Sequence, residues 1–118
     1  MQLHFILTTH NRCGTTLNCL KALSESANGL RVSCTVTVVD AGSSDGTADA
    51  VRRFWRGAID VLSVSDRVYW ADGMARAEQH VFRTWNVEDQ DFIVWMNDDI
   101  ILDRDGLRRF KKIVDSLN

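Results

Sequence analysis

The sequence contains no proline, only three cysteines and no long apolar run in its 118 residues. The absence of proline excludes collagenous and proline-rich linker segments. An odd cysteine count without a CxxC spacing argues against a disulfide framework or a zinc site. We therefore expect Cys13, Cys19 and Cys34 to be free thiols in a reducing, cytoplasmic compartment. No stretch approaches the roughly 20 apolar residues of a membrane helix, and the amino terminus lacks a signal-peptide layout.

Net charge is small as well, because 14 basic residues oppose 16 acidic ones and leave −2. Binding to nucleic acid through bulk charge is therefore not expected. The basic residues Arg108, Arg109, Lys111 and Lys112 are predicted to form the solvated face of a last helix, with peripheral membrane contact as the less favoured alternative. An apolar fraction of 45% at this length is enough for one domain with its own core.

Strand-like and helix-like segments alternate along the chain. Predicted strands cover residues 3–9, 32–39, 59–64 and 92–96, and predicted helices cover 15–27, 44–55, 72–85 and 107–117. This order predicts an α/β fold over residues 1–118, with an open, mostly parallel four-stranded sheet and helices on both faces. Strands that read as apolar runs fit a sheet that is buried on both sides.

Polar clusters follow all four predicted strands, at residues 8–12, 40–47, 66–73 and 97–99. The turns that lead into the strands look like plain solvated connections. In open α/β sheets, ligands bind outside the carboxyl ends of the strands. The asymmetry between the two edges therefore predicts a site at the edge where these clusters lie.

Two adjacent carboxylates, Asp98 and Asp99, follow the most apolar strand. The two negative charges of such a pair repel each other, and their desolvation costs free energy. A bound divalent cation offsets both effects. Mg²⁺ or Mn²⁺ usually binds through one or two carboxylates together with substrate phosphate oxygens. The alternative is a solvated turn in which an aspartate caps a helix, and the spacing alone leaves both interpretations open.

Asp40 also ends an apolar run, where a carboxylate can accept a hydrogen bond from a sugar hydroxyl or a base N–H. The alternative is a turn-forming aspartate ahead of Gly42. The loop is glycine-containing, and Ser43 or Ser44 is predicted to cap the helix after it. The sequence contains neither a GK[ST] nor a GxGxxG motif, which disfavours a P-loop NTPase and a Rossmann dehydrogenase.

The aromatic pair Tyr69 and Trp70 is predicted to pack in the core or at its margin, with a pocket wall as the alternative. His10 is expected near the pocket but not as a ligand. His4 and His80 show no partner pattern, so packed or solvated imidazoles are expected there.

Taken together, the clusters resemble those of family 2 glycosyltransferases, which have the GT-A fold. ILTTHNR at residues 6–12 is similar to the family's opening strand and TxxNR turn. VVDAGSSDGT at 38–47 matches VVDNGSSDGT with one replacement, and VYWADGM at 68–74 resembles FWGGGM. WMNDD at 95–99 resembles WLNDD, the family's form of the DXD motif. The order of the four motifs covers nearly the whole chain and identifies it as the nucleotide-sugar-binding part of such an enzyme.

The resemblance implies metal-dependent, inverting transfer from a nucleoside-diphosphate sugar, UDP- or dTDP-linked, to a glycan or glycolipid acceptor. It implies that Asp40 accepts the N3–H of the base, that Asp98 contacts the ribose or the sugar, and that Asp99 coordinates Mn²⁺ or Mg²⁺. The implied nucleotide-binding residues are Thr8, Asn11, Asp40, Asp45 and Asp98, and those on the sugar side are Asp72, Met74 and Arg76. Asp72 has the alternative role of capping its helix.

The family's general base lies well after the DXD motif, in an acceptor-binding half, and no residue of this sequence matches it. We expect a truncated chain from which that half is absent, with a non-catalytic nucleotide-binding module as the alternative function. A sugar-phosphate nucleotidyltransferase would need a glycine-rich, basic loop after the first strand. Only Arg12 and Gly14 stand there, which disfavours that third function.

Overall fold

The computed structural model describes residues 1–117, and in them four strands alternate with four helices. The strands are Gln2–Thr9 (β1), Ser33–Ala41 (β2), Ala58–Val64 (β3) and Phe92–Trp95 (β4). The helices are Cys13–Ala27 (α1), Thr47–Phe54 (α2), Trp70–Thr84 (α3) and Gly106–Ser116 (α4). The α/β order expected from the periodicity is confirmed.

The strands form one sheet in the order β3-β2-β1-β4, and all three neighbouring pairs are parallel. The chain steps from β1 to β2 to β3 on one side and then returns to place β4 on the other side of β1. The strand order therefore reverses between β1 and β4, and ligands bind at such a switch point in open α/β sheets.

Alternate residues of the central strands face two different helical layers. Leu3, Phe5 and Leu7 pack against apolar side chains of α1, α2 and α4. Ile6 points to the opposite face and packs with residues of α3 such as Met74. Burying a side chain of this size contributes roughly 1.5–3 kcal/mol. The expected sheet with helices on both faces is confirmed.

Two helix starts differ from the expectation. α2 begins at Thr47, its N-cap is Gly46, and no side chain caps it, so the cap expected at Ser43 or Ser44 is wrong. The backbone N–H of Ser44 is instead bonded to a side chain of a neighbouring loop, which keeps residues 42–46 out of the helix. α3 begins at Trp70, so Asp72 lies in its first turn and is not its cap.

The cysteines, His4 and the basic residues of α4 lie in the environments that the sequence predicts. The three cysteines are free, and His4 is buried with its Nδ1 2.8 Å from the Oγ1 of Thr35. Along α4, Arg108, Arg109 and Lys111 pair with nearby aspartates, as expected of a solvated face. Across residues 1–117, no helix combines the length and the apolar character that crossing a membrane requires.

Candidate functional site

A pocket of about 380 Å³ opens at the carboxyl edge of the sheet. All four polar clusters of the sequence contribute to its wall, the second of them only through Ala41, the last residue of β2. The lining residues are Thr8, Thr9, His10, Arg12, Ala41, Asp66, Val68, Tyr69, Trp70, Asn97, Asp98 and Asp99. The pocket therefore lies at the crevice where the strand order reverses.

The segments after β1 and β2 are tied together by Asn11. Its backbone N–H donates to the Oγ of Ser43 at 2.8 Å, and its Oδ1 accepts from the N–H of Ser44 at 2.7 Å. Asn11 has a φ of +49°, a left-handed conformation that asparagine tolerates better than most residues. Asn11 thus braces the two loops, and its side chain is outside the pocket lining.

Two aspartates predicted to bind the nucleotide also support the loops. Asp45 accepts from the hydroxyl and the N–H of Thr47 and, at 3.0 Å, from the N–H of Cys13. These hydrogen bonds, the Thr47 hydroxyl first, lower the pKa of Asp45. Asp40 is only 5% exposed, and its Oδ1 accepts from the N–H of Ser43 at 3.2 Å. Both carboxylates lie beside the pocket and not on its wall.

Thr8 does line the pocket, and its hydroxyl donates to the Sδ of Met74 at 3.5 Å. Met74 itself is fully buried on the α3 side of the sheet. Because its side chain fills the core, Met74 has no surface on the pocket, and the sugar-side place expected for it stays a prediction. Met74 supports the pocket wall from behind.

Asp72 and Arg76 were expected on the sugar side of the site. The structure pairs them with each other on the surface of α3, with the Arg76 Nε 3.1 Å from the Asp72 Oδ1. They line a separate depression that includes Leu62 and Val64 of β3. The structure therefore does not bring this pair into the pocket, because both side chains lie on the face of α3 that borders β3.

Tyr69 and Trp70 are 78% and 46% exposed and form part of the pocket wall. The prediction of core or half-buried packing is wrong for Tyr69, whereas Trp70 is half-buried. Tyr69 is the N-cap of α3 and Trp70 is the first residue of that helix. The Trp70 ring meets Trp95 edge-on, with centroids 5.8 Å apart.

His10 lies on the pocket wall, near the position expected for it. Its Nδ1 is 2.5 Å from the carbonyl oxygen of Ala41, so Nδ1 carries the hydrogen in this contact. The Nε2 atom is then left as an acceptor and stands 3.4 Å from the Nδ2 of Asn11. The imidazole is therefore fixed in one tautomer by the loop after β2.

The acidic end of the pocket is formed by Asp98 and Asp99, whose side chains are 7% and 55% exposed. Arg12, which the sequence analysis did not assign to the site, pairs with both. The motifs give no signal for this contact, because it depends on the parallel pairing of β1 with β4, which brings the residues after these two strands together. Asp66 also lines the pocket, and the only hint of it was its place directly after the third strand.

The donor set at this end fits a hard divalent cation. Asp98 and Asp99 supply carboxylate oxygens, the ligands that Mg²⁺ and Mn²⁺ prefer. In the part of the chain that the structure describes, no three His, Cys, Asp or Glu side chains converge as a self-sufficient metal site. The pair therefore suits a cation that completes its coordination with water and with phosphate oxygens of a ligand.

Comparison with known proteins places the chain in a family. The family model described as glycosyl transferase family 2 matches residues 4–117. No curated protein matches the sequence. The fold resembles that of mannosyltransferase PcManGT from Pyrobaculum calidifontis, solved in complex with GDP-Man and Mn²⁺, with a TM-score of 0.72 and 25% identity over 89% of this chain and 30% of that one.

Two further structures share the fold. S. aureus TarS gives a TM-score of 0.72 at 18% identity over 98% of this chain, and the galactosyltransferase LgtC, in complex with donor and acceptor sugar analogs, gives 0.57 at 19% over 93%. The chain spans 30% of PcManGT, 20% of TarS and 41% of LgtC. With its described fold, its pocket at the switch point and a family match over residues 4–117, the chain belongs to glycosyl transferase family 2 and has the GT-A fold.

Proposed function

We propose that residues 1–118 form the nucleotide-sugar-binding part of a metal-dependent, inverting glycosyltransferase. The observation that carries the proposal is the position of Asp98 and Asp99, on the wall of a pocket formed by the end of β2 and by the segments after β1, β3 and β4. An exposed acidic turn elsewhere would need no cation. At the switch point of a parallel sheet, the same turn faces the place where ligands bind.

Asp99 is the residue that we assign to the cation. Its side chain is more than half exposed, whereas that of Asp98 is almost completely buried. A divalent cation bound there, Mn²⁺ or Mg²⁺, would neutralise the charge that develops on the leaving nucleoside diphosphate. PcManGT, the relative at 25% identity, was solved with Mn²⁺. Asp98 is then placed to contact the ribose or the sugar.

For the nucleoside we propose the end of the pocket formed by Thr8 and Ala41, next to the segment after β2. Asn11 and Asp45 contribute by holding that segment in place. The Oδ1 of Asp40 is bonded to Ser43, which leaves its Oδ2 to accept a single N–H from a base. One acceptor suits the N3–H of uracil or thymine, so a UDP- or dTDP-linked sugar is the expected donor. PcManGT was solved with GDP-Man, which makes GDP the competitor to test.

We place acceptor binding and the general base outside residues 1–118. The proposed acceptor is a glycan or glycolipid, and the proposed compartment is the cytoplasm. Because no residue of this sequence matches the family's general base, we expect residues 1–118 alone to bind the donor without transferring the sugar.

Calorimetric titration of UDP, dTDP, GDP and CDP, each with and without Mn²⁺, tests the proposal. We expect UDP or dTDP to bind more tightly with Mn²⁺, and Asp99→Asn to weaken the metal-dependent binding by about tenfold or more. Asp49→Asn, which removes an exposed carboxylate of α2, is the matched control and should leave the nucleotide affinity unchanged with and without Mn²⁺. Failure of all four nucleotides to bind, or binding that ignores both Mn²⁺ and Asp99→Asn, would contradict the proposal.

A further inference from the structure

Arg12 contacts both carboxylates of the acidic turn. Its Nη1 lies 3.1 Å from the Oδ1 of Asp98, and its Nη2 lies 3.7 Å from the Oδ2 of Asp99. The guanidinium is about half exposed and itself lines the pocket. A single cationic side chain thus contacts both carboxylates of the pair that is proposed to hold the divalent cation, and it offsets one of their two negative charges.

The fold holds this contact in place from both sides. Arg12 is the N-cap of α1, and its carbonyl oxygen accepts from the N–H of Thr16 at 2.8 Å. On the other side, the N–H of Met96 donates to the carbonyl oxygen of Ile6 at 3.0 Å, which continues the pairing of β4 with β1 up to the acidic turn. These bonds anchor the chain beside each partner, so we expect a change in the contact to come from the long arginine side chain.

The two contacts are unequal. The shorter one goes to the buried Asp98, which has little access to water and needs a partner. The longer one goes to the exposed Asp99, where water screens the attraction. Asp99 is therefore the carboxylate that Arg12 can release at low cost.

We propose that Arg12 is an exchangeable counter-ion of the acidic turn. In the nucleotide-free chain Arg12 holds Asp98 and Asp99 and competes with a divalent cation for Asp99. When a nucleoside diphosphate enters the pocket, Arg12 turns its guanidinium to the phosphate oxygens, which it can bind in a bidentate manner. This inference rests on the proposed function and adds a positioning residue to it.

The exchange makes cation and diphosphate bind cooperatively. A cation bound to Asp99 alone faces the repulsion of the nearby guanidinium. A diphosphate alone must draw Arg12 away from Asp99, which then lies beside the phosphates without a counter-charge. When both ligands are present, each charge has an opposite partner. By thermodynamic linkage, each ligand then raises the affinity of the other by the same factor.

Mn²⁺ binding to the 118-residue chain, followed by the electron paramagnetic resonance signal of free Mn²⁺, tests the exchange without any activity assay. We expect Arg12→Gln to raise the affinity for Mn²⁺ alone by about three- to tenfold, because the competing charge is gone. The same variant should weaken UDP or GDP binding in saturating Mn²⁺ by about tenfold, because a charge-assisted contact to phosphate is lost.

Two variants serve as controls. Arg52→Gln makes the same change in net charge on α2, where Arg52 pairs with Asp49, and should leave both affinities within about twofold. Arg12→Lys keeps the charge but loses the planar fork, and should fall between the wild type and Arg12→Gln in both titrations. Circular dichroism establishes that each variant is folded.

Mn²⁺ affinity that is unchanged or lower in Arg12→Gln, or that rises equally in Arg52→Gln, would overturn the exchange. If no nucleotide binds any of the chains, the proposed donor site fails. The Mn²⁺ arm then still decides whether Arg12 competes for the acidic turn. If neither the wild type nor Arg12→Gln binds Mn²⁺, the inference is also overturned, because the variant is expected to bind it.

Discussion

Gly42, which follows β2, lies directly against the backbone of Asp66, which follows β3. A β-carbon on Gly42 would stand 2.8 Å from the Asp66 backbone nitrogen, a distance that real contacts do not show. Gly42 also has a φ of +66°, a conformation that costs other residues free energy. Close approach and backbone conformation both require glycine here, and the contact places Asp66 on the pocket wall.

Gly42→Ala is therefore expected to lower the free energy of unfolding by about 2–4 kcal/mol, the sum of a backbone and a packing cost. Gly29→Ala is the matched control, because Gly29 has a φ of +79° with no atom near its missing β-carbon. That variant should lose only the backbone part, about 1–2 kcal/mol. Urea denaturation measures both, and equal losses would show that the contact with Asp66 contributes nothing.

Gly73 lets the first turns of α3 approach the end of β1. An added β-carbon would overlap the Oγ1 of Thr8 and lie 2.7 Å from its Cγ2. We expect Gly73→Ala to destabilise the chain by about 1–3 kcal/mol and to weaken nucleotide binding, since Thr8 lines the pocket.

Gly14→Ala is the control for Gly73→Ala, because Gly14 is also in a helix but has open space around it. It should stabilise the chain by about 0.5–1 kcal/mol through helix propensity. Thermal denaturation compares the two variants. A stabilising effect of Gly73→Ala would contradict the close packing of α3 on Thr8.

The Cys19 thiol lies beneath the acidic turn, with its Sγ 3.7 Å from the carbonyl oxygen of Asn97. Burial first, and the charges of Asp98 and Asp99 second, raise its pKa to about 11. Because the thiolate is the reactive form, we expect Cys19 to resist iodoacetamide at pH 8 while the partly exposed Cys13 reacts. Peptide mass spectrometry locates the modified sites, and rapid labelling of Cys19 in the folded chain would contradict this placement.

His4 is expected to make stability depend on pH near neutrality. Burial lowers its pKa below the ordinary 6.5, and the opposing effect of the Asp91 charge is smaller. As pH falls from about 6.5 toward the folded pKa, the unfolded chain binds a proton that the folded chain does not. The free energy of unfolding should therefore decrease over that window and level off below it.

His4→Gln should flatten this dependence, whereas His10→Gln, at an exposed position, should preserve it. Urea denaturation at a series of pH values between roughly 5 and 8, the range in which a histidine titrates, measures how the free energy of unfolding depends on pH. An unchanged slope in His4→Gln would assign the dependence to another group.

The order of elements was predictable because each segment carries its own periodicity and the strands end in polar clusters. The pocket's place followed from the same pattern, since parallel strands bring their carboxyl ends to one edge. The contacts that individual side chains make within the clusters were not predictable in this way. Met74 and Thr8 come from different motifs, and only their packing shows that one lies behind the other in the wall.

Two differences from the expectations have separate physical causes. Tyr69 is large and apolar, so composition favours burial, but it precedes the first residue of α3 on the pocket wall and remains exposed. Asp72 and Arg76 belong to a motif that resembles a sugar-side segment, yet they lie four residues apart on one helix and pair with each other.

The amino-acid sequence by itself determined the fold class, the family and the edge of the sheet where the site lies, because these depend on local periodicity and on motifs in a set order. Tertiary structure alone decided which residues meet. The strand order puts β4 beside β1. This brings Arg12 into contact with Asp98 and Asp99, which lie 86 and 87 positions later in the sequence. Charge neutralisation depends on distance in space, which no spacing along the chain records.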